Sequence, residues 1–76
     1  MIKVMIFPSH RRAEYAFKEW TREHEDEILG LNRRNLSTIL RSGDELHFVC
    51  ESGFERWARG RKYEIIADYR PWGIGW

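Results

Sequence analysis

Among its 76 residues the chain has one cysteine, two prolines and three histidines, and its formal net charge is only +1. The lone Cys50 excludes an internal disulfide framework, and one thiol with three scattered histidines matches no structural zinc spacing. A reducing, cytoplasmic setting is the default expectation. No apolar run is long: Ile2 to Phe7 is interrupted by Lys3 and halted by Pro8, well short of a signal-peptide core or a membrane span, so no membrane role is expected. Near-neutral charge excludes the global positive field of a non-specific nucleic-acid coat, and any basic patch must be local. Glycine is also missing from Pro8-Ser9-His10, where a phosphate-cradling turn would need it.

What is present suits one small folded domain over residues 1–76. A chain this short buries only about 60% of the surface its unfolded form exposes, so its stability margin is expected to be small. Hydrophobic residues make up 42% and aromatics 14%, with four tryptophans, which compensates for the short length and argues against disorder. Charge is segregated. Acids gather at Glu23, Glu25, Asp26 and Glu27, whereas Arg33, Arg34, Arg56, Arg59, Arg61 and Lys62 lie in the following half. Both groups read first as solvated faces and second as the marks of a molecule with one binding face.

Residues 1–7 favour a buried strand through Ile2, Val4, Met5, Ile6 and Phe7, with Pro8 at its exit and Ser9 placed to cap a helix. Ala13, Ala16, Phe17, Trp20, His24, Ile28 and Leu31 then recur at steps of three or four. This predicts one amphipathic helix ended by Gly30 or Asn32. His24 on that stripe reads as a boundary histidine under packing rather than a ligand or general base. Leu36 to Leu40 and Glu45 to Cys50 flank Arg41-Ser42-Gly43-Asp44 and predict an antiparallel hairpin. Alternation puts Leu46, Phe48 and Cys50 on one face and His47 and Val49 on the other, so His47 and Cys50 do not form a metal pair, and Cys50 reads as packing. Glu51 to Arg59 predicts a short helix with Phe54, Trp57 and Ala58 inward, broken by Gly60, and Tyr63 to Tyr69 a fourth strand.

The resulting order is βαββαβ, an α/β two-layer sandwich with about four strands and two helices. The same order suits a ferredoxin-like α+β sheet, or a piece of a nucleotide-binding sheet with its hairpin at an edge. The segment Ile6-Phe7-Pro8-Ser9-His10-Arg11-Arg12-Ala13-Glu14 resembles the strand-to-helix passage of the ATPase domains of phage large terminases and helicase-type P-loop proteins. Residues 37–48 resemble the hairpin of those motors, and residues 59–68 their approach to the second phosphate motif. The resemblance covers most of the chain and implies a P-loop-like sheet. It also implies the magnesium-associated position for Asp68.

The departures are specific. The G-x-x-x-x-G-K-[ST] loop and its strand are absent, and Tyr69 stands where such a motor places its catalytic Glu. Positioning and charge neutralisation are removed together, so the resemblance implies a reduced, non-catalytic relative without a cofactor. Adjacent Ser9 and His10 have no identifiable third partner, Cys50 carries no signature of an activated thiolate, and the acids of residues 23–27 lack calcium-loop spacing.

In the tail, residues 70–76, Trp72, Ile74 and Trp76 alternate with glycines like a strand with one heavy face and one bare face. They are expected either to fold back over the core or, with Arg70, to anchor a protein partner or a second copy, leaving the chain a monomer or a tail-linked homodimer. Two function classes follow. The first is a small protein-binding module, such as a virus-encoded accessory or regulatory factor, acting through Arg70, Trp72, Ile74 and Trp76. The second is a nucleic-acid-binding module in which Arg56, Arg59, Arg61 and Lys62 contact phosphates while Trp57 stacks on bases. A nucleotide-processing enzyme ranks third.

Overall fold

The computed structural model describes residues 1–70. Its elements are β1 (Ile2–Phe7), α1 (His10–Glu23), a 3-10 turn (Glu25–Glu27), β2 (Ile28–Asn32), β3 (Ser37–Leu40), β4 (Glu45–Cys50), α2 (Glu51–Ala58) and β5 (Glu64–Asp68). They form an open five-stranded mixed sheet in the order β2-β3-β4-β1-β5. β1 runs parallel to both β4 and β5, while β2, β3 and β4 form an antiparallel meander. The α/β layering expected from the sequence is present. The parallel neighbours of β1 decide against the ferredoxin-like alternative, in which adjacent strands would run antiparallel. Among the described residues no helix is long and apolar enough to cross a membrane.

β1 is apolar at almost every position because it is covered on both faces. Phe7 joins Ala13, Phe17, Leu46 and Phe48 in one buried cluster, with Ala16 and Trp20 of α1 against it. Val4 and Ile6, both fully buried, join Val49 on the other face beneath Phe54 and Trp57 of α2. The two faces of β4 match the alternation read from sequence. Ser9 caps α1 as expected, its hydroxyl accepting the Arg12 backbone N–H at 3.3 Å. Gly43 and Gly60 occupy left-handed backbone, at φ 95° and 74°, in the hairpin turn and after α2.

The long helix expected through Leu31 is a correction. α1 ends at Glu23, and Ile28–Asn32 is a fifth strand, with Gly30 inside it and Asn32 at its end. His24 is the C-cap of α1: its backbone N–H makes the last helical bond, to the Trp20 carbonyl at 3.0 Å, its ring Nδ1 shares that carbonyl at 2.9 Å, its ring stacks on Trp20 with centroids 4.3 Å apart, and its own backbone leaves the helical region at φ −121°. Arg41 then fixes the turn, its backbone N–H bonding the Glu27 carbonyl at 2.9 Å and its Nε the Asp26 carbonyl at 2.7 Å. Ile28 and Leu31 keep helical spacing to Trp20, but the ladder offered by β3 overrides that local preference.

Leu36 closes the β2–β3 turn at φ 53°, an unusual conformation for leucine. Holding a non-glycine residue there costs on the order of 1 kcal/mol, less than the roughly 2 kcal/mol gained by burying a leucine side chain, and Leu36 is buried. Beside it Thr38 is only 1% exposed, and its Oγ1 has no hydrogen-bond partner among the described residues. Thr38→Val removes that orphaned hydroxyl and keeps the β-branched shape. It is expected to raise stability by about 1 kcal/mol, read as a higher urea midpoint; an unchanged or lower midpoint would show that the hydroxyl is satisfied.

Candidate functional site

On the α1 face the helix lies over β4 and β1 and leaves the β5 side open. The result is a groove of about 560 Å³. Its floor is Met5, Phe7, Phe48 and Tyr69; its helical wall is Tyr15, Ala16 and Trp20, and Arg12, Glu19 and Glu23 stand among the lining residues. The floor is built by stacking. Phe7 lies between Phe48, at 6.0 Å, and Tyr69, at 5.1 Å, with near-parallel rings, and Trp20 meets the edge of Phe48 at 6.1 Å. Tyr69 is fixed by its backbone N–H, which bonds the Ile6 carbonyl at 2.8 Å. Glu19 is paired with Arg22 at 2.5 Å, so of the two carboxylates in the lining only Glu23 lacks a cation among the described residues.

At the carboxyl end of β5, Arg70 grips Asp68 with Nε to Oδ1 at 2.9 Å and Nη2 to Oδ2 at 2.5 Å, and its backbone N–H adds a third bond at 3.1 Å. Hydrogen bonding from Arg70 holds the Asp68 carboxyl below its ordinary range, against a smaller opposing effect of burial, and the same pairing raises the Arg70 guanidinium. That guanidinium also lies 5.2 Å from the Phe54 ring centre. Asp68, at the position the resemblance associates with magnesium, is thus ligated by an arginine. Asp44 is lowered in the same sense by the N-terminal ammonium at 3.1 Å and then Lys3 at 3.3 Å, which tie the start of β1 to the β3–β4 turn.

The basic candidates gather around the end of α2. Arg56, Arg59, Arg61 and Lys62 are exposed there, while Trp57 is half-buried. Trp57 donates its indole N–H to His47 Nδ1 at 3.2 Å, and His47 Nε2 lies 3.1 Å from Glu45 Oε1. Arg61 sits 4.9 Å from the Trp57 ring centre and also bonds the Trp57 carbonyl, and Tyr63 approaches the same ring edge-on at 5.3 Å. The indole is therefore engaged by its own neighbours. His47 and Cys50 do not converge; Cys50 instead lies 3.4 Å from the Ser52 hydroxyl.

Of the sequence candidates, Arg70 follows β5 in the described structure, with its guanidinium over Phe54 on the α2 face rather than in the groove, whereas Trp72, Ile74 and Trp76 lie outside the described residues. Sequence reasoning missed the groove. Its only signal was Tyr15 beside the α1 stripe, with an aromatic, Tyr69, directly after β5. Comparison with protein-family models, with curated proteins and with solved structures gives no match to this chain.

The Asp68–Arg70 pair has a definite acid signature. Because the folded-state value of Asp68 is lowered, its stabilisation is complete above the ordinary value of 3.8 and is lost as pH falls through the lowered one. Asp68→Asn is expected to be less stable than the wild type at neutral pH, with the gap closing in acid below 3.8. Urea midpoints across that range check it, and a gap independent of pH would remove the pairing as its cause.

Proposed function

We propose that this domain is a small, non-catalytic protein-binding module that holds an apolar segment of a partner in the groove between α1 and the β1–β5 side of the sheet. The observation that carries this reading is the pair of exposed rings, Tyr15 and Tyr69, that flank the groove above the buried Phe7 and Phe48. Large aromatics in a concave, partly desolvated site are the side chains that dominate protein-interface energetics. Glu23 favours a basic residue beside the apolar anchor of the partner segment. The sequence likeness to terminase-type ATPases, with Tyr69 where such a motor places its catalytic Glu and Asp68 bound by Arg70, supports a binding role for a reduced, virus-encoded accessory factor over phosphoryl transfer. Trp72, Ile74 and Trp76 are proposed to add to the same contact.

A displayed random-peptide library selected against the immobilised full chain tests this. Peptides with aromatic or aliphatic anchors are expected to bind and to weaken by about tenfold or more against Tyr15→Asp. Glu23→Lys should weaken the basic ones, and Trp76→Ala or truncation after Pro71 should weaken them all. Selected peptides indifferent to Tyr15, or no selected peptide, would overturn the groove as the contact.

Exposure of Arg56, Arg59 and Lys62 around the end of α2 favours nucleic acid as the second reading, with phosphate contacts and no free stacking platform at Trp57. Under it, labelled single- and double-stranded DNA or RNA bind saturably by fluorescence anisotropy at near-physiological salt. Charge reversal at Arg59 and Arg61 then lowers affinity and flattens the salt dependence. No binding at low salt disposes of this reading.

A further inference from the structure

The strand that the sequence hides, β2, is an outer edge of the sheet, and it is self-complementary. Its middle exposes two leucines, Leu29 at 62% and Leu31 at 45%, on either side of Gly30. Its entry carries Glu25, Asp26 and Glu27, and its exit Arg33 and Arg34, all exposed, and none of these five side chains has an ion-pair partner among the described residues. The two charge groups form no ion pair with each other, although Glu25 and Arg33 line one cavity beside β2. Five residues of strand hold them about 17 Å apart, beyond the screening length of about 8 Å at physiological salt.

We propose that two copies of this chain join edge to edge through β2, antiparallel about a two-fold axis at Gly30, to make one continuous ten-stranded sheet. The β2–β3 ladder shifts register between Ile28 and Gly30, which leaves Leu29 outside its pairing, and in the two-fold register Leu29 of one copy lies across from Leu31 of the other, twice over. Glu27 meets Arg33 and Asp26 meets Arg34 of the second copy at both ends. A slip of one residue either way keeps acids against arginines but breaks the leucine pairs, so the apolar centre selects the register. Antiparallel pairing is the arrangement a two-fold axis imposes on identical edges, and each copy supplies the same patch. Added backbone hydrogen bonds along an open edge contribute the rest. Gly30 suits the axis, because no atom lies within 4 Å of where its side chain would begin.

The other edge does not have this property. β5 also exposes apolar side chains, Ile65 and Ile66, but antiparallel self-pairing about Ile66 sets Glu64 against Asp68 of the second copy. Glu64 then meets a carboxylate already held by Arg70 rather than a cation, so this edge lacks the charge complementarity of β2. The β2 contact lies across the sheet from the proposed peptide groove, so the two proposals stand or fall separately.

Sedimentation equilibrium or light scattering of the full chain reads the outcome. A mass twice the 9.2 kDa of one chain is expected at low salt, falling toward one chain as salt is added. Leu29→Lys with Leu31→Lys, and separately Arg33→Glu with Arg34→Glu, should leave monomers with the wild-type far-ultraviolet circular dichroism spectrum. A third variant, Glu25→Lys with Asp26→Lys and Glu27→Lys, should also be monomeric alone, yet pair with the arginine-reversed variant when the two are mixed. A wild type monomeric at about 1 mM, a dimer untouched by the charge reversals, or a dimer lost only on truncation after Pro71 would each overturn the proposal.

Discussion

The structure depends on the double burial of β1. Val4 and Ile6 fill one side and Met5 and Phe7 the other, and both backbone edges of the strand are occupied by parallel neighbours. A central strand of this kind needs a helix over each face, because an uncovered face would leave several large apolar side chains in water. The chain has two helices for the purpose and no more. One sits on each face, centred on β1 and β4, which leaves the outer strands on either side thinly covered.

That shortage organises the surface. To one side of α1 lies the groove floored by Met5, Phe7 and Tyr69; at the far side of the sheet β2 exposes Leu29 and Leu31, and on the opposite face Ile39 is also exposed. A larger domain would cover such positions with further helices or blunt the edges with lysine and proline. Here charge is placed at the ends of β2 rather than along it. The local runs of charge in the linear sequence, Glu25 to Glu27 and Arg33 to Arg34, therefore have a spatial meaning: they bracket one apolar strand with opposite signs.

The elements legible in the sequence were those with a local physical cause. Pro8 and Ser9 mark the passage from β1 to α1, Gly43 the hairpin turn and Gly60 the end of α2, and each is a residue whose backbone or hydroxyl does the marking by itself. The fifth strand was not legible, because Ile28 and Leu31 continue the helical spacing of Phe17 and Trp20, and nothing local to residues 24–32 reports the ladder that β3 provides. The ring of His24, which shares the Trp20 carbonyl with the last helical N–H, marks the end of α1 only once the chain is folded. The floor of the groove was equally hidden, since Phe7, Phe48 and Tyr69 are far apart in sequence and meet only through the β4-β1-β5 order. Clusters carried by one short segment, such as Arg59, Arg61 and Lys62, are visible at once, and for that reason easily overweighted. The rings around Trp57 show what sequence omits, namely that an aromatic beside arginines is already occupied by them.

The topology also bears on chemistry against binding. After β1 the chain crosses to α1 on one face, and after the adjacent β4 to α2 on the other, so the carboxyl ends of these strands form the place where open α/β sheets hold their ligands. In this chain the groups at that edge are bonded to one another. The Ser9 hydroxyl caps its own helix, Asp68 is gripped by Arg70, and Tyr69 lies flat on Phe7. These polar groups hold one another in place, whereas the Tyr69 ring beside them is half exposed. The proposed binding role rests on that contrast, since an apolar partner segment would reach the tyrosine rings without displacing any of those bonds.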